Sequence, residues 1–255
     1  MKKFYNLSKV TNKKLIGDKI WQLNPVTDSH HRFTQSKAWP NDAIVIIRFN
    51  HSTTIMSQSF SSSFYAYLSK LRWIKRWGLK RNAHDENVME HSWEVAVIAH
   101  ALALIKNRYF DGDLDANAIA TAALYHDASE VITGDLPTPI KYHSPSILKA
   151  YKQIEQQAEL ELLNLLPDAL QTDYQALLIH SQLPEEHSNI IKAADRIAAY
   201  LKCQAELKAG NGEFEIAEQR IAEQIKNTQQ PEVRFFMQTF VPSCGLALDD
   251  LIPRN

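Results

Sequence analysis

An all-α bundle is the fold class this sequence predicts, and three observations predict it. From Phe60 onward apolar residues return at helical spacing, as in Phe60, Phe64, Leu68, Leu71 and Ile74. The segments so defined end at glycines and prolines, where a helix stops. No comparable run of alternating strand character follows residue 56. With 45% hydrophobic residues in 255, the chain can bury a real core.

Taken in order, residues 1–55 differ in texture from the rest. They are polar, carry Pro25, His30, His31 and Pro40, and hold one strand-like run, AIVIIRF, starting at Ala43. The basic start MKK lacks the apolar stretch of a secretory signal. Three readings stay open for this part: a disordered tail, a small added element, or translated sequence upstream of a native start at Met56. The expected organisation is an N-terminal extension over 1–55 and one helical domain over 56–255.

Helices are expected at about 60–75, 88–107, 115–132, 144–166, 168–181, 185–209, 213–227 and 231–240. Val95, Ile98, Leu102 and Ile105 make one stripe, and Ile147, Ile154, Ala158 and Leu162 another. The stops are Gly112, Gly134 with Pro137 and Pro139, Pro167, and the run Gly210-Asn211-Gly212.

Charge and cysteine usage narrow the function. Lys and Arg number 28 against 29 Asp and Glu, a net charge of -1, so nothing global attracts long nucleic acid, and an anionic ligand must be held locally. Cys203 and Cys244 form neither a disulfide framework nor a CxxC pair, which fits a reducing compartment. Uninterrupted apolar runs such as Ala43–Ile47 and Val95–Ile98 fall short of the roughly 18–20 residues a membrane span needs. A soluble, cytoplasmic protein with no membrane partner is the expectation.

Four polar residues sit on apolar stripes. His91 is continued by Val95, Ile98 and Leu102; His126 follows Ile119 and Ala123; Asp127 follows Ala123 and Leu124; Asp195 lies on the line of Ile191, Ala198 and Ala199. Each has a plain structural reading alone: His91 and His126 as hydrogen-bonded core histidines, Asp127 paired with a lysine, Asp195 paired with Arg196 or Lys192. Together they place two imidazoles and two carboxylates inward from three helices, where unpaired charge is costly. A divalent cation between them resolves the conflict, and a mixed nitrogen and oxygen donor set suits Mn²⁺, Co²⁺, Fe²⁺, Zn²⁺ or Mg²⁺. Glu130, four residues after His126, falls on the same side of the predicted helix, near the ion.

The order His91, His126-Asp127, Asp195 resembles the HD domain of metal-dependent phosphohydrolases. The segments RWGLKRN (from Arg76), ENVMEHS (from Glu86), YHDASEVITGDLPTPIKY (from Tyr125) and KAADRIAAYLKCQAEL (from Lys192) resemble the bacterial 5'-deoxynucleotidases more specifically. The likeness spans about 58–250 and excludes the first 55 residues.

What the resemblance implies is a single-domain bundle of the HD type that hydrolyses 2'-deoxynucleoside 5'-monophosphates with a divalent metal such as Co²⁺ or Mn²⁺, held by His91, His126, Asp127 and Asp195. It implies a catalytic acid/base at Glu130 and a phosphate clamp at Arg76, also counted as catalytic. It implies a substrate surface formed by Arg76, Trp77, His91, Asp127, Asp135, Leu136, Pro137, Thr138 and Asp195, with Asp135 accepting from the sugar 3'-hydroxyl, and a homodimer.

Plain readings stand beside these. Arg76 could be one of several solvated bases, Trp77 a core aromatic, Glu130 a structural hydrogen-bond partner, and GDLPTP a rigid helix stop. Glu86 and Glu90 are candidates to orient His91, and Glu90 is equally a helix-start acid. His84, His100, His143, His180 and His187 have no assigned role. Other functional readings are an HD phosphohydrolase acting on a different nucleotide and a nucleotide sensor without turnover.

Overall fold

The computed structural model describes residues 61–252, together with backbone pairing in four short strands. The chain divides into two compact units, Met1–Ser61 and Ser62–Asn255. In the first, β1 (Lys13–Ile16) pairs antiparallel with β2 (Lys19–Gln22), and β3 (Val45–Phe49) with β4 (Ser52–Met56). The strand-like run AIVIIRF thus supplies β3. His30, His31, Pro25, Pro40 and Phe60 lie outside the described residues.

The second unit is helical, as expected of its periodicity. Its elements are α1 (Phe64–Leu68), α2 (Val88–Tyr109), α3 (Ala116–Leu124), α4 (Glu130–Thr133), α5 (Thr138–Lys141), α6 (Pro145–Asn164), α7 (Asp168–Leu178), α8 (Glu185–Lys208), α9 (Glu215–Lys226), α10 (Pro231–Thr239), α11 (Val241–Cys244) and α12 (Leu248–Leu251). Starts follow side-chain chemistry. Asn87, Asp115 and Ser144 accept backbone N–H bonds from Glu90 (3.0 Å), Ala118 (2.9 Å) and Ile147 (3.3 Å), each satisfying a donor that the first helical turn leaves free. Pro145 and Pro231 occupy first-turn positions, where a missing N–H costs nothing.

The main core packs α2 against α3, α8 and α10, with Val95, Leu102, Ile119, Ala194 and Ile197 almost wholly buried. Every member of the predicted stripe Val95, Ile98, Leu102 and Ile105 is buried. A smaller core joins Phe64 of α1 to Ala128, to Leu162 and Leu163 of α6, and to Leu178 of α7. Helix α2 has the length and apolarity of a membrane span, but its buried residues form the centre of the main core.

Three expectations are corrected. The helix expected over 60–75 is one α turn that continues as a 3₁₀ turn, Ser69–Trp73. Beyond it residues 74–76 run extended, with Ile74 accepting from Val88 N–H and Arg76 N–H donating to Glu86. The stripe of α6 is buried only toward its C-terminal half: Ala158 and Leu162 are covered while Ile147 and Ile154 are exposed. The helix expected over 115–132 ends at Leu124, and 125–129 form successive turns before α4. In that break, Tyr125, Ala128 and Glu130 N–H groups reach back three residues rather than four.

Candidate metal centre

The broken segment 125–129 carries the histidine and the acid outside the regular helix. His126 Nδ1 donates to the Ala123 carbonyl at 2.7 Å, which turns Nε2 toward the cluster as the ring nitrogen a cation could take. His91, from the third residue beyond the start of α2, is buried, and its ring centroid lies 5.3 Å from that of His126. From α8, Asp195 Oδ1 comes to 3.0 Å of His91 Nε2. One donor atom from each of His91, His126 and Asp195 lies within 4.8 Å of the others, the spacing of a metal site.

Asp127 sits in the same cluster with a different engagement. Its Oδ2 is 3.2 Å from His126 Nε2, 3.6 Å from His91 Nε2 and 3.3 Å from Arg76 Nη1. The sequence alternatives for both acids fail here: Asp127 meets Arg76 rather than a lysine, and Asp195 meets His91. Asp195 reaches the buried His91 although 46% of its own side chain is exposed.

A cation fits this donor set on physical grounds. His91 Nε2 and His126 Nε2 lie close to carboxylate oxygens of Asp195 and Asp127 yet out of line for a hydrogen bond, and His91 Nδ1 has no partner among the described residues; buried polar atoms left so are costly. The acids facing them are held ionised. Burial would raise Asp127 and Asp195, yet the neighbouring imidazoles, joined at Asp127 by Arg76, hold both below the usual carboxylate range.

Glu130 opens α4 beside the cluster. Its Oε2 is buried and has no hydrogen-bond partner among the described residues. Burial first, and then the charges of Asp127 and Asp135, push its carboxyl up to about 10 in the metal-free protein, which favours its protonated form. Asp135 follows the left-handed Gly134 (φ 70°) and is raised by burial, with Arg76 and the Trp77 N–H pulling the other way. Leu136, Pro137 and Thr138 continue from Asp135 into α5; the first two are half-buried and Thr138 is exposed.

Arg76 is neither a solvated base nor the end of a helix. It lies in the extended segment with 13% of its side chain exposed, Nε bonded to Glu86 Oε2 at 3.1 Å. Trp77 adopts φ 59°, and its indole Nε1 donates to the same Oε2 at 3.0 Å while its ring lies 5.3 Å from that of Phe214. The proposed role of Glu86 in orienting His91 is therefore corrected: its acceptors face Arg76 and Trp77. Glu90 is exposed in the first turn of α2, the helix-start position. Of the other histidines, His180 Nδ1 meets Glu159 at 3.0 Å, and the His84 carbonyl accepts from Lys202.

Sequence reasoning missed one further network. Lys202 and Glu206, on one face of α8, form a buried ion pair. Glu206 also accepts from the N–H of Ala83 (2.7 Å), the N–H of His84 (3.0 Å) and the amide of Asn211 (2.7 Å). The i, i+4 spacing of Lys202 and Glu206 was a visible signal, but the loop they hold was not.

Residues 63–244 match the model of the YfbR-like 5'-deoxynucleotidases, well over half of the chain. The chain belongs to that family. Among its relatives, a 5'-deoxynucleotidase of Yersinia pestis (strain Pestoides F) is 53% identical over 190 residues, covering 74% of this chain and 96% of that protein. The fold of the YfbR-like family recurs in an HD-domain phosphohydrolase from Listeria innocua, 22% identical with TM-score 0.63 over 71% of this chain and 88% of that one. It recurs too in the HD phosphohydrolase DatZ of cyanophage S-2L, bound to dA and one catalytic Zn²⁺ ion, 18% identical with TM-score 0.51 over 70% of this chain and 96% of that one. Membership in this family and the imidazole-carboxylate cluster together support a divalent metal at the centre.

Proposed function

We propose that this chain is a divalent-metal-dependent 5'-deoxynucleotidase that releases phosphate from 2'-deoxynucleoside 5'-monophosphates. The observation that carries the reading is the meeting of His91, His126 and Asp195 donor atoms within 4.8 Å, with the Arg76 guanidinium adjoining through Asp127. Family membership supports the same chemistry.

His91, His126 and Asp195 would hold the ion, with Asp127 as a fourth ligand that also fixes Arg76. A bound divalent ion supplies a Lewis acid against the charge that develops on phosphate and lowers the pKa of water. Arg76 presents its remaining N–H groups to the phosphate oxygens, which a planar fork binds more specifically than an ammonium can. Glu130 holds a proton on its carboxyl and gives it to the departing sugar oxygen O5', so the leaving group need not depart as an alkoxide. Trp77 packs on the nucleoside, Asp135 accepts from the 3'-hydroxyl, and Leu136, Pro137 and Thr138 wall the sugar side. The two prolines of GDLPTP keep the ordering cost of that wall low.

Co²⁺, Mn²⁺ or a similar divalent ion suits the donor set in this reading, and DatZ, with its Zn²⁺ and dA, lends support to a deoxynucleoside-metal pairing in this fold. A homodimer acting in the cytoplasm completes the proposal. Purified protein supplied with Mn²⁺ or Co²⁺ should release phosphate from deoxy monophosphates faster than from the matching ribo forms. Equal rates would remove the sugar preference, and no release from either would remove the reading.

A further inference from the structure

We infer that Glu86 is a positioning residue for substrate, locking the phosphate clamp and the nucleoside platform to each other through a single carboxylate oxygen. The inference rests on the deoxynucleotidase reading for the roles of Arg76 and Trp77. Its geometry stands by itself: Oε2 accepts from Arg76 Nε at 3.1 Å and from Trp77 Nε1 at 3.0 Å.

Three features make this tie rigid. Glu86 and Arg76 are both largely buried, with 11% and 13% of their side chains exposed, so the charge-assisted bond is weakly screened. The backbone joins the same two segments, with Arg76 N–H donating to the Glu86 carbonyl at 3.0 Å and Val88 N–H to the Ile74 carbonyl at 3.0 Å. The loop between them is anchored in turn where Glu206 takes the N–H groups of Ala83 and His84.

The consequence for Arg76 follows from counting donors. Nε–H is spent on Glu86 and one N–H of Nη1 on Asp127, which fixes the guanidinium plane from two sides and leaves one N–H of Nη1 and both of Nη2 for an incoming anion. Trp77, held at φ 59°, is a non-glycine residue in a left-handed conformation. The indole bond to Glu86 and the Phe214 contact keep its ring in one orientation there. Loss of the shared oxygen frees both substrate groups at once, and a small displacement of a positioning group is costly.

The test compares Glu86→Ala and Glu86→Gln in metal-loaded protein, reading KM and kcat for a deoxynucleoside monophosphate alongside metal content and Tm. Glu86→Ala should raise KM by about tenfold or more with a smaller change in kcat, while Glu86→Gln, which keeps an acceptor oxygen, stays within about threefold. In an Arg76→Ala, Trp77→Ala background the further effect of Glu86→Ala should vanish, because Glu86 acts through those two groups. Should Glu86→Ala fail to fold, Trp77→Phe reads the same tie by deleting one donor and keeping the ring, and should raise KM. Unchanged KM in Glu86→Ala, or in Trp77→Phe where Glu86→Ala does not fold, or a Glu86→Ala effect that persists in the double background, overturns the inference. Wild-type protein that cleaves another phosphomonoester but no deoxynucleotide defeats the substrate reading alone, and the same variants are then read on that ester.

Discussion

At the scale of single residues, environment separates carboxylates that composition cannot tell apart. Asp127 and Asp195 face imidazoles and a guanidinium and stay ionised, whereas Glu130, a short step along the chain, is buried against two acids and raised to about 10. Opposite protonation states in one site are what acid catalysis beside a cation requires. Glu130→Gln should therefore lower kcat by about 10²–10⁴-fold and leave metal content unchanged; full activity in that variant would end its role as proton donor. Asp195→Ala should lose both turnover and metal, read by metal analysis of the purified protein. That His91, His126, Asp127 and Asp195 draw together was legible, because polar groups on an apolar stripe conflict with burial. Glu86 was not, because its partners are fixed by backbone pairing across ten residues and leave no periodic trace.

At the scale of elements, helices with strong stripes were readable, and α2, α8 and α10 fall where their apolar spacing puts them. The break at 125–129 was hidden, since Tyr-His-Asp-Ala-Ser contains neither Gly nor Pro and continues an alanine-rich helix pattern. Tertiary demand overrides propensity there, with the Ala123 carbonyl taken by the His126 side chain as well as by backbone N–H groups. The stop at Gly134 was legible and has a backbone cause: at φ 70° and ψ 165° it occupies a region essentially confined to glycine. Nothing crowds a Cβ at this position, so Gly134→Ala should cost about 1–3 kcal/mol from backbone strain alone. That loss would be read as a lower urea midpoint, and because Asp135 follows directly, KM should rise with it. A midpoint equal to wild type would show that the loop relaxes freely.

The α8 network makes an element-scale prediction about acid. Burial would raise the Glu206 carboxyl, but the Lys202 ammonium, the Ala83 and His84 N–H groups and the Asn211 amide outweigh it and hold it at about 2. A carboxyl depressed in the folded state contributes stability that is present above its unfolded value of 4.5 and is lost as pH falls toward 2. Denaturant midpoints should therefore fall between about pH 4.5 and 2, the window of these two values. Glu206→Gln should be less stable at neutral pH and show a flatter acid limb. An unchanged slope in that variant would assign the acid sensitivity to other groups.

At the scale of the whole molecule, the candidate ligands come from three places that the chain brings together only on folding: α2, the turn after α3, and α8. An ion bound there ties the centre of the main core to the turn that carries Ala128 of the smaller core, so binding it is linked to global stability. The pH dependence of that link has a definite sign. In metal-free protein burial would lower His126, but the charge of the adjoining Asp127 carboxylate outweighs it and raises the imidazole to about 9, above its ordinary 6.5. A protonated His126 then contributes stability that is fully present below pH 6.5 and is lost as pH rises through 9. A metal requires the neutral ring, so its uptake at neutral pH must expel that proton, and affinity should improve by up to about tenfold per pH unit below 9. The two trends oppose each other: the Tm of chelator-treated protein falls with rising pH while the increment supplied by metal grows. Thermal unfolding with Mn²⁺ or with excess chelator should thus show a gap that widens from about pH 6.5 to 8.5, and titration calorimetry in two buffers of different ionisation enthalpy should report proton release on binding. A gap that stays constant over that range, with no proton released, would place the ion away from His126.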